Sequence, residues 1–161
     1  MSCSREAIRF EVALFINLEG MQLFHILAYF SSSLTFLKPA DLDAILKVSE
    51  RNNANDDITG ILMHHNGLFF QILEGEKKLV EDCYNRICLD TRHRAISLLV
   101  SEPVKSKDFL GWSMRYVGPD EIGRYDRGTF TDVNYLMKKS IPTSSMALNL
   151  LGSVRKAFPY T

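Results

Sequence analysis

Residues 58–75 read ITGILMHHNGLFFQILEG, and this stretch decides the fold. Two apolar runs lie on either side of Asn66-Gly67. That dipeptide is typical of a two-residue type I′ turn, in which both central residues need a positive φ. The stretch therefore predicts a β-hairpin whose second strand runs towards Gly75.

The segments before and after the hairpin alternate between strands and helices. LFHILAYF (residues 23–30) is apolar at nearly every position, as expected of a strand buried on both faces. Residues 38–53 repeat apolar side chains at helical spacing behind Pro39, a residue type that the first turn of a helix tolerates. The same spacing in residues 76–90 predicts a second amphipathic helix.

Two further strands are expected over residues 95–102 and residues 111–117. The predicted order is then βαββαβ with one additional strand, an α+β, ferredoxin-like sheet with two helices on one face. Because the first strand is apolar on both faces, the opposite face of the sheet also needs a cover. We expect C-terminal helices in residues 119–161 to supply it.

The chain length of 161 residues fits one domain with terminal additions. We place the domain at residues 21–118, between an extension of residues 1–20 and the C-terminal segment 119–161. The extension carries three glutamates within its apolar stretch, which argues against a signal peptide. Since the predicted fold does not need these residues, we expect them to be dispensable.

Charge and cysteine content exclude several classes of protein. Lys plus Arg and Asp plus Glu both number 19, so the net charge does not favour nucleic-acid binding. The three cysteines (Cys3, Cys83 and Cys88) lack a C-x-x-C spacing, which argues against a disulfide framework or a zinc site. No apolar run approaches the roughly 20 residues that span a bilayer. We therefore expect a cytoplasmic protein without a metal, a nucleic-acid partner or a membrane segment.

Two polar side chains fall on strand faces that are predicted to be buried. Gln71 shares a face with Phe69 and Leu73, where glutamine is a poor core residue, so we expect a polar group to meet it. Tyr29 shares a face of the first strand with Leu27. A tyrosine at such a position is more often structural than functional.

Asn52 and Asn53 end the first predicted helix on the stripe that continues from Ile45 and Ser49. A buried carboxamide must be hydrogen-bonded, or its burial costs about 1–3 kcal/mol. An asparagine at a helix C-terminus is also a common cap in left-handed geometry. The sequence leaves both interpretations open.

The remaining polar candidates are less specific. His64 and His65 are adjacent on a strand and point to opposite faces, which is unsuitable for binding one metal, so we assign them to the surface or the hairpin. Arg92, His93 and Arg94 follow the second helix and could hold an anion, although such clusters are more often simply solvated. The sequence shows no glycine-rich phosphate loop and no nucleophile elbow.

Five parts of the sequence form a specific combination when they are taken in order. The parts are Tyr29 with Ser31, DLDAILKVSERNN (41–53), ITGILMHHNGLFFQILEG (58–75), RICLDTRH (86–93) and FLGWSM (109–114). Each part alone is weak, but the combination is hard to produce by chance. Together they resemble the BLUF family, the sensors of blue light using FAD, over about Leu23 to Val117.

The resemblance implies a flavin pocket with a photochemical pair. Tyr29 would donate an electron and a proton, and Gln71 would lie between it and the N5 and O4 edge of the ring. Asn53 would bond the O4 and N3 edge, with Asn52 beside it. The other implied contacts are Ile45 and Ile87 on the two sides of the ring, Ser31 in the pocket, and Asp90, Arg92 and His93 near the ribityl chain and phosphates.

The resemblance also implies how a signal would leave the pocket. Trp112 and Met114, on the last strand, would relay the state of Gln71 to the C-terminal helices. The implied cofactor is FAD, although the same ring contacts would serve FMN or riboflavin. No cyclase or phosphodiesterase sequence follows residue 117, which is typical of short members whose output goes through a protein partner or their own oligomer.

Two other functions are compatible with these residues. A flavin-dependent oxidoreductase would need space for a substrate and a hydride donor, and no dinucleotide fingerprint appears to serve it. A cofactor-free interaction module would simply pack Tyr29 against Gln71. The sequence favours a light-sensing switch that is not an enzyme, because no acid–base or nucleophile machinery accompanies the pocket.

Overall fold

The computed structural model describes residues 23–65 and 67–118, together with residues 121 and 152. Within residues 23–118 the order of elements is βαββαββ, the ferredoxin-like α+β arrangement that the sequence predicts. No helix of the described residues is long and apolar enough to cross a membrane. The elements are β1 (Phe24–Ser33), α1 (Pro39–Asn55), β2 (Thr59–His65), β3 (Leu68–Gly75), α2 (Lys77–Cys88), β4 (His93–Val104) and β5 (Arg115–Val117).

The strands form one sheet in the order β4-β1-β3-β2-β5. β1 is antiparallel to β3 and β4, whereas β2 is antiparallel to β3 and parallel to β5. The predicted hairpin is confirmed, because His65 pairs with Leu68 and Gly67 has a φ of 76°. The register of β1 against β3 places Tyr29 directly opposite Gln71.

Alternate side chains of the strands divide between two buried clusters on the two faces of the sheet. Both helices pack on the same face, through residues that include Ile45 and Ile87. The pocket-face cluster, under the helices, comprises Leu27, Tyr29, Ile58, Leu62, Phe69, Leu73, Val80, Cys83 and Met114. The apolar-face cluster comprises Ile26, Ala28, Phe30, Ile61, Met63, Phe70, Ile72, Val100, Phe109 and Val117.

The burial of β1 on both faces is as predicted, since residues 25–31 of this strand are all buried. The helical cover expected from residues 119–161 and the extension of residues 1–20 lie outside the described residues, apart from residues 121 and 152. The two helices over the pocket face are where the sequence places them.

The last strand is shorter than the sequence predicts. Trp112 and Met114 precede β5 rather than lie on it. The chain bends before them, because Gly111 has a φ of 83° and the Trp112 N–H donates to the Phe109 carbonyl at 3.2 Å. This turn interrupts the alternating pattern that suggested a longer strand.

The connection from β4 to β5 runs from one edge of the sheet to the other. It passes the end of the sheet at which β3 finishes and β2 begins, and we call residues 105–114 the crossover segment. β4 itself is longer than predicted. Its pairing with β1 shifts register twice, between Ala28 and Tyr29 and between Phe30 and Ser32, and Ala95 has a φ of 51°.

Candidate functional site

A cleft opens between the two helices and the pocket face of the sheet. An adjoining cavity extends it towards the C-terminal end of α1. Every residue predicted to contact a cofactor lines one of the two spaces, except Ser31. The cleft is lined by Tyr29, Ile45, Ser49, Leu62, Phe69, Gln71, Ile87, Asp90, Arg92 and His93, and the adjoining cavity adds Val48, Asn52, Asn53, Cys83 and Arg86.

Tyr29 and Gln71 form a buried hydrogen-bonded pair at the floor of the cleft. The Tyr29 hydroxyl donates to Oε1 of Gln71, and Nε2 of Gln71 donates to the Met114 sulfur at 3.6 Å. Burial raises the pKa of Tyr29 well above its ordinary value of 10.0. The phenol therefore keeps its proton at neutral pH and remains a hydrogen-bond donor.

A second tyrosine, which the sequence analysis missed, flanks this pair. The ring of Tyr84 lies 5.4 Å from that of Tyr29 between centroids, at an interplanar angle of 57°. Burial, with a further contribution from Cys88, raises the pKa of Tyr84 to about 12. Its position four residues after Val80 on the apolar stripe of α2 was the signal that could have revealed it.

Asn53 is almost fully buried, with an exposed fraction of 2%. Its Nδ2 donates to the Ser113 carbonyl at 2.8 Å, and the Cys83 thiol donates to its Oδ1 at 3.7 Å. The residue in left-handed conformation after α1 is Asp57, with a φ of 49°. The core interpretation of Asn53 is therefore confirmed, and the cap interpretation is wrong.

Asn52 differs from its neighbour in burial and in partners. It is half-buried, and the Arg51 guanidinium donates to its Oδ1 at 3.4 and 3.5 Å. It still lines the cavity beside Asn53. The pair is thus asymmetric, with one amide in the core and one at its border.

Asp90 and Arg92 form a partly exposed ion pair that lines both the cleft and the adjoining cavity. Nε of Arg92 donates to both carboxylate oxygens at 2.9 Å, and its Nη2 donates to Oδ2 of Asp90. These hydrogen bonds from Arg92 lower the pKa of Asp90. Both side chains are therefore charged at the mouth of the cleft.

His93 joins the end of α2 to β1. Its Nε2 donates to the Ile87 carbonyl at 2.8 Å, since a carbonyl only accepts, and its Nδ1 lies 2.8 Å from the Ser31 hydroxyl. In the neutral ring, Nδ1 accepts from that hydroxyl. Ser31 consequently faces His93 rather than the cleft, and supports the wall instead of lining it.

His64, which the sequence assigns to the surface or the hairpin, lies beside the cleft wall. Its ring packs against that of Phe69 with centroids 4.6 Å apart and an interplanar angle of 38°. Burial lowers the pKa of His64, so the ring is neutral at pH 7. Its contact with a cleft-lining side chain stabilises that wall.

The predicted relay residues lie on different faces of the sheet. Met114 belongs to the pocket-face cluster and contacts Gln71. Trp112 packs against the apolar-face cluster, where its ring is stacked on Phe109 and lies 4.3 Å from the Arg115 guanidinium. The prediction that both sit on one strand is wrong, and Met114 is the one that touches Gln71.

The cleft has the chemistry of a site for a flat heterocycle. Ile45 and Ile87 provide apolar surfaces from the two helices, while the amides of Asn53 and Gln71 offer donors and acceptors together. A neutral ring edge that alternates carbonyl and N–H groups matches such amides. The described residues hold no group of three His, Cys, Asp or Glu side chains that could bind a metal ion.

Comparison with known proteins identifies the class. Residues 24–115 match the family model of BLUF, the sensors of blue-light using FAD. The chain belongs to this family. The structure of BlrB, a BLUF protein in its dark state, superimposes with a TM-score of 0.70 at 26% identity, covering 85% of this chain and 96% of that chain.

Two characterised relatives are considerably longer proteins. Photoactivated adenylate cyclase subunit beta of Euglena gracilis is 40% identical over 81 residues, which are 50% of this chain and 9% of the relative. The blue light- and temperature-regulated antirepressor BluF of Escherichia coli (strain K12) is 34% identical over 68 residues, which are 42% of this chain and 17% of the relative. This chain therefore spans less than a fifth of either relative.

Proposed function

We propose that this protein is a blue-light sensor that holds FAD non-covalently between α1 and α2 and signals by rearranging the hydrogen bonds of Gln71. The observation that carries the proposal is the buried series Tyr29–Gln71–Met114 at the floor of the cleft. A proton donor, a reorientable amide and a contact to the crossover segment follow one another there.

The side chains around the cleft suit the flavin ring. Asn53 uses one amide hydrogen in its bond to Ser113 and one acceptor position in its bond from Cys83. One donor and one acceptor therefore remain for the ring edge. Ile45 and Ile87 would lie on its two sides, with Asn52 at the polar end.

The Asp90–Arg92 ion pair should contribute less to the free energy of flavin binding than the contacts with the ring. Asp90 partly neutralises Arg92, which weakens the attraction of Arg92 for phosphate. Binding would then rest mainly on the ring, which FAD, FMN and riboflavin share. The family description supports FAD among the three.

The bound flavin would supply the absorption of blue light and the capacity to accept an electron. Tyr29 would release an electron and its hydroxyl proton and then recover both, so that no net oxidation results. While the phenol is deprotonated, Oε1 of Gln71 loses its donor, and the amide rotates or changes tautomer. A new hydrogen bond from Gln71 to the ring would shift the absorption slightly to the red without bleaching.

The energy of this rearrangement limits what the signal can do. One hydrogen bond is worth about 0.5–1.5 kcal/mol, and allosteric couplings are typically about 1–3 kcal/mol. The change can bias a poised interface but cannot unfold the domain. We propose that a protein partner or a second copy of the chain reads it, and that the protein is not itself an enzyme. A cytoplasmic location suits the free thiols of Cys83 and Cys88.

A light-minus-dark absorbance spectrum tests the proposal. Tyr29→Phe and Gln71→Leu should each purify as yellow protein but lose the reversible red shift. Tyr84→Phe is the matched control, because it removes a neighbouring phenol outside the hydrogen-bonded series and should keep the shift. A full shift in both test variants would refute the assignment of the pair.

The same experiment separates the other functions. Colourless purified protein would indicate a cofactor-free interaction module. Flavin that NADH or NADPH reduces in darkness, with bleaching in place of a red shift, would indicate an oxidoreductase. Extraction and chromatography of the bound flavin would decide between FAD, FMN and riboflavin.

A further inference from the structure

Glu74, near the end of β3, anchors the crossover segment. Its side chain is fully buried, and Oε2 accepts the backbone N–H groups of Asp108 at 2.8 Å and Phe109 at 3.0 Å. A buried carboxylate is costly unless hydrogen bonds satisfy it. If the segment moved away from Glu74, the buried carboxylate would lose these hydrogen bonds, which is energetically unfavourable.

Lys107 fastens the same part of the segment to the turn between α1 and β2. Its side chain is only 3% exposed, and Nζ donates to the Asp57 carbonyl at 2.6 Å and to the Asp57 carboxylate at 2.9 Å. Asp57 adopts a φ of 49°, a conformation that L residues rarely adopt. The buried Lys107 ammonium thus links the crossover segment to Asp57, whose backbone conformation is fixed in the left-handed region.

The other end of the segment is attached at the pocket. Its three contacts are the Trp112 carbonyl with the Gly60 N–H at 3.0 Å, the Ser113 carbonyl with Asn53, and the Met114 sulfur with Gln71. The side-chain amides of Asn53 and Gln71 therefore bind two consecutive residues of the crossover segment, Ser113 and Met114.

Strand β3 contacts the crossover segment at both of its ends, through Glu74 at one end and Gln71 at the other. Gln71 and Glu74 are three residues apart on β3 and point to opposite faces of the sheet. Between the two attached ends lies Gly111, with a φ of 83° and no atom within 4 Å of where its Cβ would stand. The chain turns at Gly111, and this turn separates residues 107–109, which Glu74 and Lys107 hold, from residues 112–114 at the pocket.

We propose that Glu74 and Lys107 are positioning residues for the light signal. They hold the crossover segment so that Met114 meets Gln71, and they return residues 112–114 to that contact after illumination. The inference rests on the proposed function, because it assigns these residues to the relay from Gln71. A weakened anchor should slow the return of Met114, and with it the recovery of the dark state.

Dark recovery of the red shift in the full-length, flavin-bound protein tests the inference. Glu74→Gln and Lys107→Met should retain flavin and the dark spectrum, but recover about fivefold or more slowly, the lower end of typical couplings. The matched controls are Glu102→Gln and Lys105→Met, which change the same residue types at exposed positions nearby. Both controls should recover within about twofold of the unmodified protein.

Amide hydrogen exchange in darkness provides a readout that does not depend on the photoreaction. Peptides that cover residues 107–114 should exchange faster in the two anchor variants than in the controls. Lys107→Arg, which keeps the charge and donors, should restore slow exchange and normal recovery.

The outcomes distinguish the inference from the proposed function. Normal recovery and normal exchange in both anchor variants, with an intact red shift, would overturn the inference and leave the function standing. Loss of flavin from both variants would also overturn it, because the anchors would then support the fold. If the unmodified protein showed no red shift, the proposed function would fail, and the exchange data alone would decide whether the anchors position the segment.

Discussion

The two faces of the sheet are made by alternate residues of the same strands, yet they differ in chemistry. On β3, Phe70 and Ile72 point into the apolar-face cluster and are fully buried, while Gln71 between them points into the cleft. The apolar face is packed side chain against side chain. The pocket face replaces part of that packing with hydrogen bonds and a cleft. Stability should therefore depend on the first face, and the light response on the second.

The largest effect on stability should follow from a cavity in the apolar face. Phe70→Ala removes a fully buried ring and should lower the free energy of unfolding by about 3–5 kcal/mol. Gln71→Leu, one residue away, should cost less, about 1–3 kcal/mol, because its main loss is the acceptor of the Tyr29 hydroxyl. Urea unfolding of both variants measures the difference. A larger loss in Gln71→Leu would reverse the comparison between the faces.

A smaller effect is expected at the end of α1, where neighbouring amides differ in burial. Asn53→Ala should lower the free energy of flavin binding or of unfolding by about 1–3 kcal/mol, since the Ser113 carbonyl loses its side-chain donor. Asn52→Ala should cost about 0.5 kcal/mol or less, because Asn52 lies at the border of the core. Flavin titration and urea unfolding would measure both. Equal losses would show that the two amides share one role.

The smallest effect concerns alkaline pH and isolates the pocket face. The raised pKa of Tyr29 means that its contribution to stability is complete below pH 10.0, the ordinary value, and is lost as the pH rises towards the folded-state pKa. The unmodified protein should lose at most about 1.4 kcal/mol per pH unit more than Tyr29→Phe. Unfolding at about pH 9 and pH 11 measures this, and Tyr84 is present in both proteins. If the free energy of unfolding of both proteins changed equally between these pH values, burial of the Tyr29 phenol would not be the cause of the alkaline loss of stability.

Local sequence patterns predict the elements and the faces of this fold well. Asn66-Gly67 signals the hairpin because turn chemistry is local, and the alternation around Gln71 assigns its face because side chains of a strand alternate strictly. The register that sets Tyr29 against Gln71 depends on residues 42 positions apart, and no short pattern contains it. The resemblance to the BLUF family supplied the pairing that the pattern could not.

The crossover segment shows why the rest could not be predicted. Trp112 and Met114 have the spacing of strand neighbours, but long-range contacts to Glu74 and Gln71 set the path of the chain around Gly111. These contacts place the two side chains on opposite faces. The hydrogen bond from Asn53 to the Ser113 carbonyl could not be predicted either, because every residue has a backbone carbonyl and the residue type does not show which one is used.

The edges of the described sheet have a consequence for behaviour at high concentration. β5 offers only three residues, and β4 is interrupted by two shifts of register, a left-handed residue at Ala95 and a proline at position 103. Long flat edges act as templates on which a second molecule adds a strand, and irregular or short edges do not. The described edges of β4 and β5 are thus poor templates for a strand added by a second copy of the domain.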